Sequence, residues 1–249
     1  MNHDTLQRLR HVSTATLCTA LFKRGLRNQF IQDVHPLAAG RPNMVGPAFT
    51  LRFVPAREDL ATPESWSSPI STRTAIEAMP DGCIAVVDAM GITDAGIFGD
   101  ILCARMVKRG VTALVTDGVV RDVEGVLGTN LPVWCDGYAA PPSVAGLTFV
   151  GWGEPIGCGG VAVFPNDIVV ADQDGCVLIP QAMLDHVLNE GVEQERAGLG
   201  AHDCVDQGQC GRGIIGEQRA DMTGGSAVAH QRDGAVRGDD TRAGALHEG

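Results

Sequence analysis

A chain of 249 residues with 19 Lys and Arg against 30 Asp and Glu carries a formal net charge of −11. That excess of acid argues against a nucleic-acid partner, because displacing counterions from phosphates requires a basic face. With 44% apolar residues the chain can bury a core, while no uninterrupted apolar run of about 18 residues is present to span a membrane. The opening Met1-Asn2-His3-Asp4 has no basic-then-apolar leader, so the expectation is a soluble, cytoplasmic protein with no membrane partner.

In chain order, Ser13 suits the cap of a helix from Thr14 to Arg24, with Leu17, Leu21 and Phe22 on one side and Gly25 as terminator. Ala48–Val54 reads as a strand. Arg57–Ser71 is polar and proline-bearing, a loop over something, with Arg57, Trp66 and the nearby Arg73 as residues that shape substrate choice or simply face solvent. A short helix over Thr72–Met79 stops at Pro80-Asp81-Gly82. Cys83–Asp88 (CIAVVD) and Val111–Thr116 (VTALVT) are continuous apolar runs, as in strands covered on both faces. Between them Gly99-Asp100 opens a helix that runs through Arg109 and closes at Gly110.

Arg121-Asp122 leads into another short helix. Val133–Cys135, Leu147–Val150, Val161–Phe164, Ile168–Ala171 and Cys176–Ile179 are short strands divided by Gly, Pro and Asp, and a helix from Gln181 to about Ala197 follows. Alternation of this kind predicts an α/β fold with a mixed sheet wrapped by helices. Composition breaks near Arg196: all eleven aromatic residues lie at or before Phe164. The 52 residues from Gly198 to Gly249 hold twelve Gly and only eight Leu, Ile, Val or Met. So poor an apolar content predicts a folded domain over 1–197 and a disordered tail over 198–249. The eight cysteines include no Cys-x-x-Cys pair; they are expected to be reduced, with Cys83, Cys103 and Cys176 acting as small apolar residues.

The chemistry concentrates in Gly96-Ile97-Phe98-Gly99-Asp100-Ile101-Leu102 and Thr116-Asp117-Gly118-Val119-Val120-Arg121-Asp122. In the first, a glycine-rich loop feeds a helix N-terminus, where the amides of Ile101 and Leu102 lack helical acceptors and suit an anion. The second lies past the carboxyl end of a buried strand, where open α/β sheets place ligands. There a guanidinium can grip a carboxylate with two prongs. Being adjacent, Arg121 and Asp122 could point apart, one toward an anion and the other toward a hard cation. Asp100 joins them if its helix starts beside the end of strand 111–116. Equally, Asp100 after Gly99 suits a helix cap, Arg121-Asp122 a capped surface turn, and Asp117-Gly118 a plain turn.

The spacing Asp100, twenty residues, Arg121-Asp122 resembles the D-x20-R-D signature of the class II pyruvate aldolases, the 4-hydroxy-4-methyl-2-oxoglutarate aldolase family, which is homologous to the regulator of ribonuclease activity A (RraA). Flanking residues agree: Gly96 and Gly99, the run Gly110 to Gly118, Pro155-Ile156 with Gly159-Gly160, Asp167 with Asp172 and Gly175, and Ser13-Thr14-Ala15-Thr16. The resemblance covers about residues 10 to 197. It departs at Thr19, where many relatives have Asp, at Asn166, where Gly is usual, and beyond Arg196, where the family's helical ending is absent.

The resemblance implies a swivelling-type α/β/α sandwich, assembled as a trimer or two stacked trimers with sites between subunits. It implies that Asp122 ligates Mg²⁺ or Mn²⁺, that Asp100 holds metal-bound water, and that Gly99, Ile101, Leu102 and Arg121 bind the 2-oxo acid. Glu193 or Glu195 of a neighbouring subunit would complete the site. The implied activity is metal-dependent retro-aldol cleavage of 4-hydroxy-2-oxo acids to pyruvate, with oxaloacetate decarboxylation alongside, Arg121 and Asp100 being catalytic. The alternative is a non-catalytic protein that docks on a ribonuclease.

Overall fold

The computed structural model describes residues 2–206, so the tail expected from Gly198 lies outside the described residues except for its first nine. Helix α1 (His3–Leu9), absent from the expected elements, is started by Asn2, whose side chain accepts from the Thr5 amide at 2.8 Å. Helix α2 (Thr14–Lys23) is capped by Ser13 as expected. Leu17 and Leu21 on it are fully buried, but Phe22 is 57% exposed with the Arg27 guanidinium 5.7 Å from its ring centre. One residue on from Leu21 is about 100° around the helix, which carries Phe22 off the buried stripe.

After two short strands, β1 (Phe30–Ile31) and β2 (His35–Pro36), comes the long β3 (Met44–Pro55). The expected loop follows, holding one 3-10 turn at Pro63–Ser67. Then come α3 (Thr72–Ala78), β4 (Ile84–Asp88), α4 (Asp100–Lys108), β5 (Ala113–Thr116), β6 (Val119–Val120) and α5 (Val123–Gly128). The remaining strands are β7 (Val133–Cys135), β8 (Gly137–Tyr138), β9 (Leu147–Trp152), β10 (Ile156–Cys158), β11 (Val161–Val163), β12 (Ile168–Ala171) and β13 (Cys176–Ile179). Helix α6 (Leu184–Asp206) runs nine residues past Ala197; no proline between its ends removes a backbone donor. Among the described residues no helix is long and apolar enough to cross a membrane.

Nine strands form one mixed sheet in the order β1-β13-β12-β3-β4-β5-β7-β2, with β9 also on β3. The β3-β4-β5-β7 centre is parallel, whereas β12, β13, β1, β2 and β9 join antiparallel. Along β3 the pairing on one edge passes from β12, over Met44–Pro47, to β9, over Leu51–Pro55. The sheet therefore curls around β3.

Helices α3, α4 and α5 cover one face, where Ile76, Met79, Cys103, Met106 and Val126 meet Ala85, Val87 and Leu114. Ile84, Val86, Ala113 and Val115 project to the other side, into a core lined by strand and loop residues including Trp134 and the β10–β11 hairpin. Burial on both faces is the physical reason that CIAVVD and VTALVT lack alternation. Helices α1, α2 and α6 pack a third core against β12, β13 and Val45. Helices thus lie outside the curled sheet on two sides, an α/β/α arrangement within the compact unit that ends at Gly200.

Cys18, Cys83, Cys103, Cys135, Cys158 and Cys176 are free thiols, and all but Cys18 are buried. Burial pushes the Cys83 thiol up to about 11 and Cys103 up to about 12, so both stay protonated and apolar.

Candidate active site

The loop before α4 is stitched to the segment after β5. Gly96 bridges to Val119, the Ile97 amide donates to the Val119 carbonyl at 2.9 Å, and the Arg121 amide donates to the Phe98 carbonyl at 2.9 Å. Asp122 then turns the chain with a left-handed backbone (φ 53°) into α5, where its carbonyl accepts from the Val126 amide at 2.9 Å. These bonds bring the start of α4 beside the end of β5, which is the condition the sequence set for Asp100 to join Arg121 and Asp122.

Two glycines make the approach close enough. A methyl group on Gly99 would sit 2.8 Å from Asp122 Oδ2, and one on Gly125 would sit 2.7 Å from Asp100 Cβ. Each carboxylate therefore rests against the bare backbone of the other's segment. Sequence reasoning places Gly99 in the loop. It misses Gly125, although a glycine at the third position of a helix costs about 1 kcal/mol relative to Ala, and that cost is itself a signal.

Arg121 and Asp122 do not point apart. The Arg121 Nε–H donates to Asp122 Oδ2 at 3.1 Å, with the side chains 35% and 49% exposed. The guanidinium is thereby held through Nε, and its outer two nitrogens have no partner among the described residues, which suits a two-pronged grip on an anion. Asp100 is half-buried, and its Oδ1 accepts from the Ile101 amide at 2.7 Å. The Ile101 amide, expected to face a ligand together with that of Leu102, is held by the Asp100 carboxylate in this structure. The Ile101 side chain is 78% exposed.

Asp100 Oδ2 and Asp122 Oδ1 have no hydrogen-bond donor among the described residues. Two hard carboxylate oxygens open to water fit Mg²⁺ or Mn²⁺, ions that take one or two carboxylates and keep several waters. Among the described residues no third Asp, Glu, His or Cys completes a metal-sized cluster. Of the two glutamates considered, Glu195 accepts from the Ser13 amide at 2.9 Å and the Ser13 hydroxyl at 2.8 Å. Partial burial raises its pKa, but the bonds from Ser13 and Thr16 outweigh that and hold the carboxyl below its ordinary range. Glu193 is exposed.

Other residues in the matching pattern hold the scaffold. Asp172 is buried and accepts from the Thr14 amide and hydroxyl at 2.7 and 2.8 Å, and from the Asp174 and Gly175 amides at 2.9 and 3.3 Å. It ties the start of α2 to the β12–β13 turn. Asp117 is buried too, accepting from the Ala89 amide at 2.7 Å and the Gly159 amide at 3.1 Å; burial raises its pKa against those bonds. Asn166 adopts φ 72°, a left-handed conformation that Gly takes freely and Asn tolerates best among the rest. Thr19 is exposed, its hydroxyl donating to the Ala15 carbonyl at 3.1 Å. Arg57 forks onto Asp59 through two bonds of 2.7 Å.

A family model described as RraA-like, Aldolase/RraA, matches residues 14–178, about two thirds of the chain. The chain belongs to the RraA-like family. A relative from Halalkalibacterium halodurans, named "Putative 4-hydroxy-4-methyl-2-oxoglutarate aldolase", is 30% identical over 195 residues, covering 77% of this chain and 84% of that one. Protein DlpA of Legionella pneumophila is 29% identical over 189 residues, or 76% of this chain; the match spans only 29% of DlpA's own length. Among solved RraA-like structures, Streptomyces coelicolor RraAS2, described as an unusual member of the RNase ES inhibitor RraA family, superposes with a TM-score of 0.73. It is 30% identical, and the match covers 81% of this chain and 97% of that one. A Pseudomonas syringae protein shares the fold with a TM-score of 0.73 at 23% identity, over 84% and 96% of the two chains.

Proposed function

We propose that this RraA-like protein is a divalent-metal-dependent carbon–carbon lyase that cleaves 4-hydroxy-2-oxo acids to pyruvate and decarboxylates oxaloacetate. The observation that carries the reading is the convergence of Asp100, Arg121 and Asp122, made possible by the bare backbones at Gly99 and Gly125. The name of the Halalkalibacterium halodurans relative supports the same substrate class.

Asp122, with Asp100 acting through water, would hold Mg²⁺ or Mn²⁺, which supplies positive charge at the keto oxygen when bound. Arg121, fixed by Asp122 through its Nε–H, presents its outer nitrogens to the substrate carboxylate and keeps positive charge where the departing bond leaves electrons behind. The Leu102 amide adds a neutral donor at the same end of α4. Asp100 positions a water that takes the proton from the 4-hydroxyl in aldol cleavage and returns one to the terminal carbon of the enolate, which becomes the methyl group of pyruvate. Both reactions leave the same pyruvate enolate, so one set of groups serves both. The active assembly is a trimer or hexamer, with Glu193 of a neighbouring subunit, exposed here, as the donor that one chain lacks.

Docking on a ribonuclease is the second reading, favoured by the description of RraAS2. Release of pyruvate from oxaloacetate and from 4-hydroxy-4-methyl-2-oxoglutarate, with Mg²⁺ or Mn²⁺ added and then chelated, tests the choice. Metal-dependent turnover is the expected result. Absence of turnover on both substrates, together with inhibition of a ribonuclease, would install the docking reading instead.

A further inference from the structure

A groove runs between α3, α4 and α5, and its walls include Asp100, Ile101 and Leu102 at one end with Arg73, Arg105 and Lys108 as its cations. Two of these cations are unsuited to the end where Asp100 lies. Arg105 is forked onto Glu77 through two bonds of 2.6 Å. Lys108 stands eight residues along α4 from Asp100, about 12 Å at the helical rise.

Arg73 is different. Both α3 and α4 connect parallel strands of the sheet, β3 to β4 and β4 to β5, so the two helices run the same way. Glu77 on α3 meets Arg105 on α4; one turn back along each, Arg73 comes level with Ile101, at the Asp100 end. Its guanidinium has no carboxylate partner among the described residues. It lies 5.9 Å from the centre of the Trp66 ring, a face that orients a cation without neutralising it. Trp66 belongs to the 57–71 loop, whose other arginine, Arg57, is already spent on Asp59.

We propose that Arg73, steadied by Trp66, receives the distal carboxylate of a dicarboxylic 2-oxo acid whose pyruvyl end is held at Arg121. This inference rests on the lyase reading for which end of the ligand lies where. It makes Arg73 a specificity residue: it selects substrates with a second anionic group and takes no part in breaking the bond.

The test is calorimetric binding of two unreactive probes in the presence of Mg²⁺. These are 2-oxoglutarate, which carries the distal carboxylate, and 2-oxopentanoate, which ends in a methyl group; neither has the 4-hydroxyl that cleavage requires. Arg73→Gln is expected to weaken 2-oxoglutarate about 10- to 100-fold and to leave 2-oxopentanoate within about twofold. Arg73→Lys should recover part of the preference, and Arg105→Gln, at the committed pair, should change neither. Arg73 is exposed on α3, so the substitution leaves the core intact. Equal weakening of both probes, or no change in either, overturns the proposal. If Arg73-dependent binding of 2-oxoglutarate is found but no substrate is turned over, the proposal stands and the lyase reading falls.

Discussion

Asp172 and Asp122 both occupy positions of the family pattern, and their surroundings could hardly differ more. Asp172 is 7% exposed, and its carboxylate collects four donors, two from Thr14 and two from the Asp174–Gly175 turn. Asp122 is half-exposed, shares one oxygen with Arg121 and keeps the other open. The first has no capacity left for a ligand; the second has little contact to lose if it is removed. Agreement with a pattern therefore mixes two kinds of residue, and the count of donors already satisfied separates those that hold the fold from those left to do chemistry.

The separation breaks most visibly at the open site. Arg121→Ala and Asp122→Ala are each expected to lower the rate of pyruvate release by about 10²- to 10³-fold. Unfolding free energy in urea should move by no more than about 0.5 kcal/mol, as for exposed groups. Wild-type rates in both variants would remove the site assignment altogether. At the closed carboxylate the outcome inverts. Asp172→Ala strands four donors in or near the core, each costing about 1–3 kcal/mol when unsatisfied, so a loss of about 3 kcal/mol or more is expected in the same denaturation. The folded fraction should keep its turnover number. If Asp172→Ala proved as stable as Asp122→Ala, the division between the two carboxylates would be wrong.

Much of this was legible beforehand, for identifiable reasons. The buried strands β4 and β5 declare themselves because two covered faces demand uninterrupted apolar runs, and the helix starts at Thr14, Thr72 and Asp100 follow from caps and glycines. Spacing shows that Asp100 joins Arg121-Asp122 if α4 starts beside the end of β5, and the Gly96–Val119 bridge puts it there. Other features were not legible. The two-residue strands β1, β2, β6 and β8 have no period to detect, since their pairing is long-range. Phe22 reads as core by composition and is placed outside by helical phase. The bond from the Ile101 amide to Asp100 and the lone position of Arg73 depend on which side chain reaches which partner, and spacing along a chain does not encode that.

A finer cut comes from Gly125, where the two kinds of role meet in one residue. Replacing it with Ala adds a good helix former but places a methyl 2.7 Å from Asp100 Cβ. The fold should tolerate this, with unfolding free energy changed by under about 1 kcal/mol. Asp100 must shift, and the rate should fall about 10-fold or more, because sub-ångström placement of a reacting group is costly to lose. Full activity in Gly125→Ala would mean that the contact with Asp100 is incidental.

The smallest expected effect lies in the pH dependence of the closed carboxylates. Burial raises the pKa of Asp117, with backbone bonds from Ala89 and Gly159 opposing it, and burial likewise raises Asp88. A raised native pKa means that the folded chain binds more protons than the unfolded one in the acid range. The contribution of such a group to stability is therefore present at low pH and declines as pH rises from the ordinary carboxylate value through the native one. Glu195, held below its ordinary value, acts with the opposite sign and loses its contribution as pH falls. Asp117→Asn removes one of the declining terms while keeping an oxygen for one of the two amides. Its constant cost from the lost second bond moves the whole curve, so the slope is the quantity to read. Unfolding free energy followed in urea between about pH 4 and 7 should fall less steeply, or rise more steeply, with pH in the variant than in the wild type. Parallel curves would show that Asp117 titrates alike in both states and that its burial leaves no mark on stability.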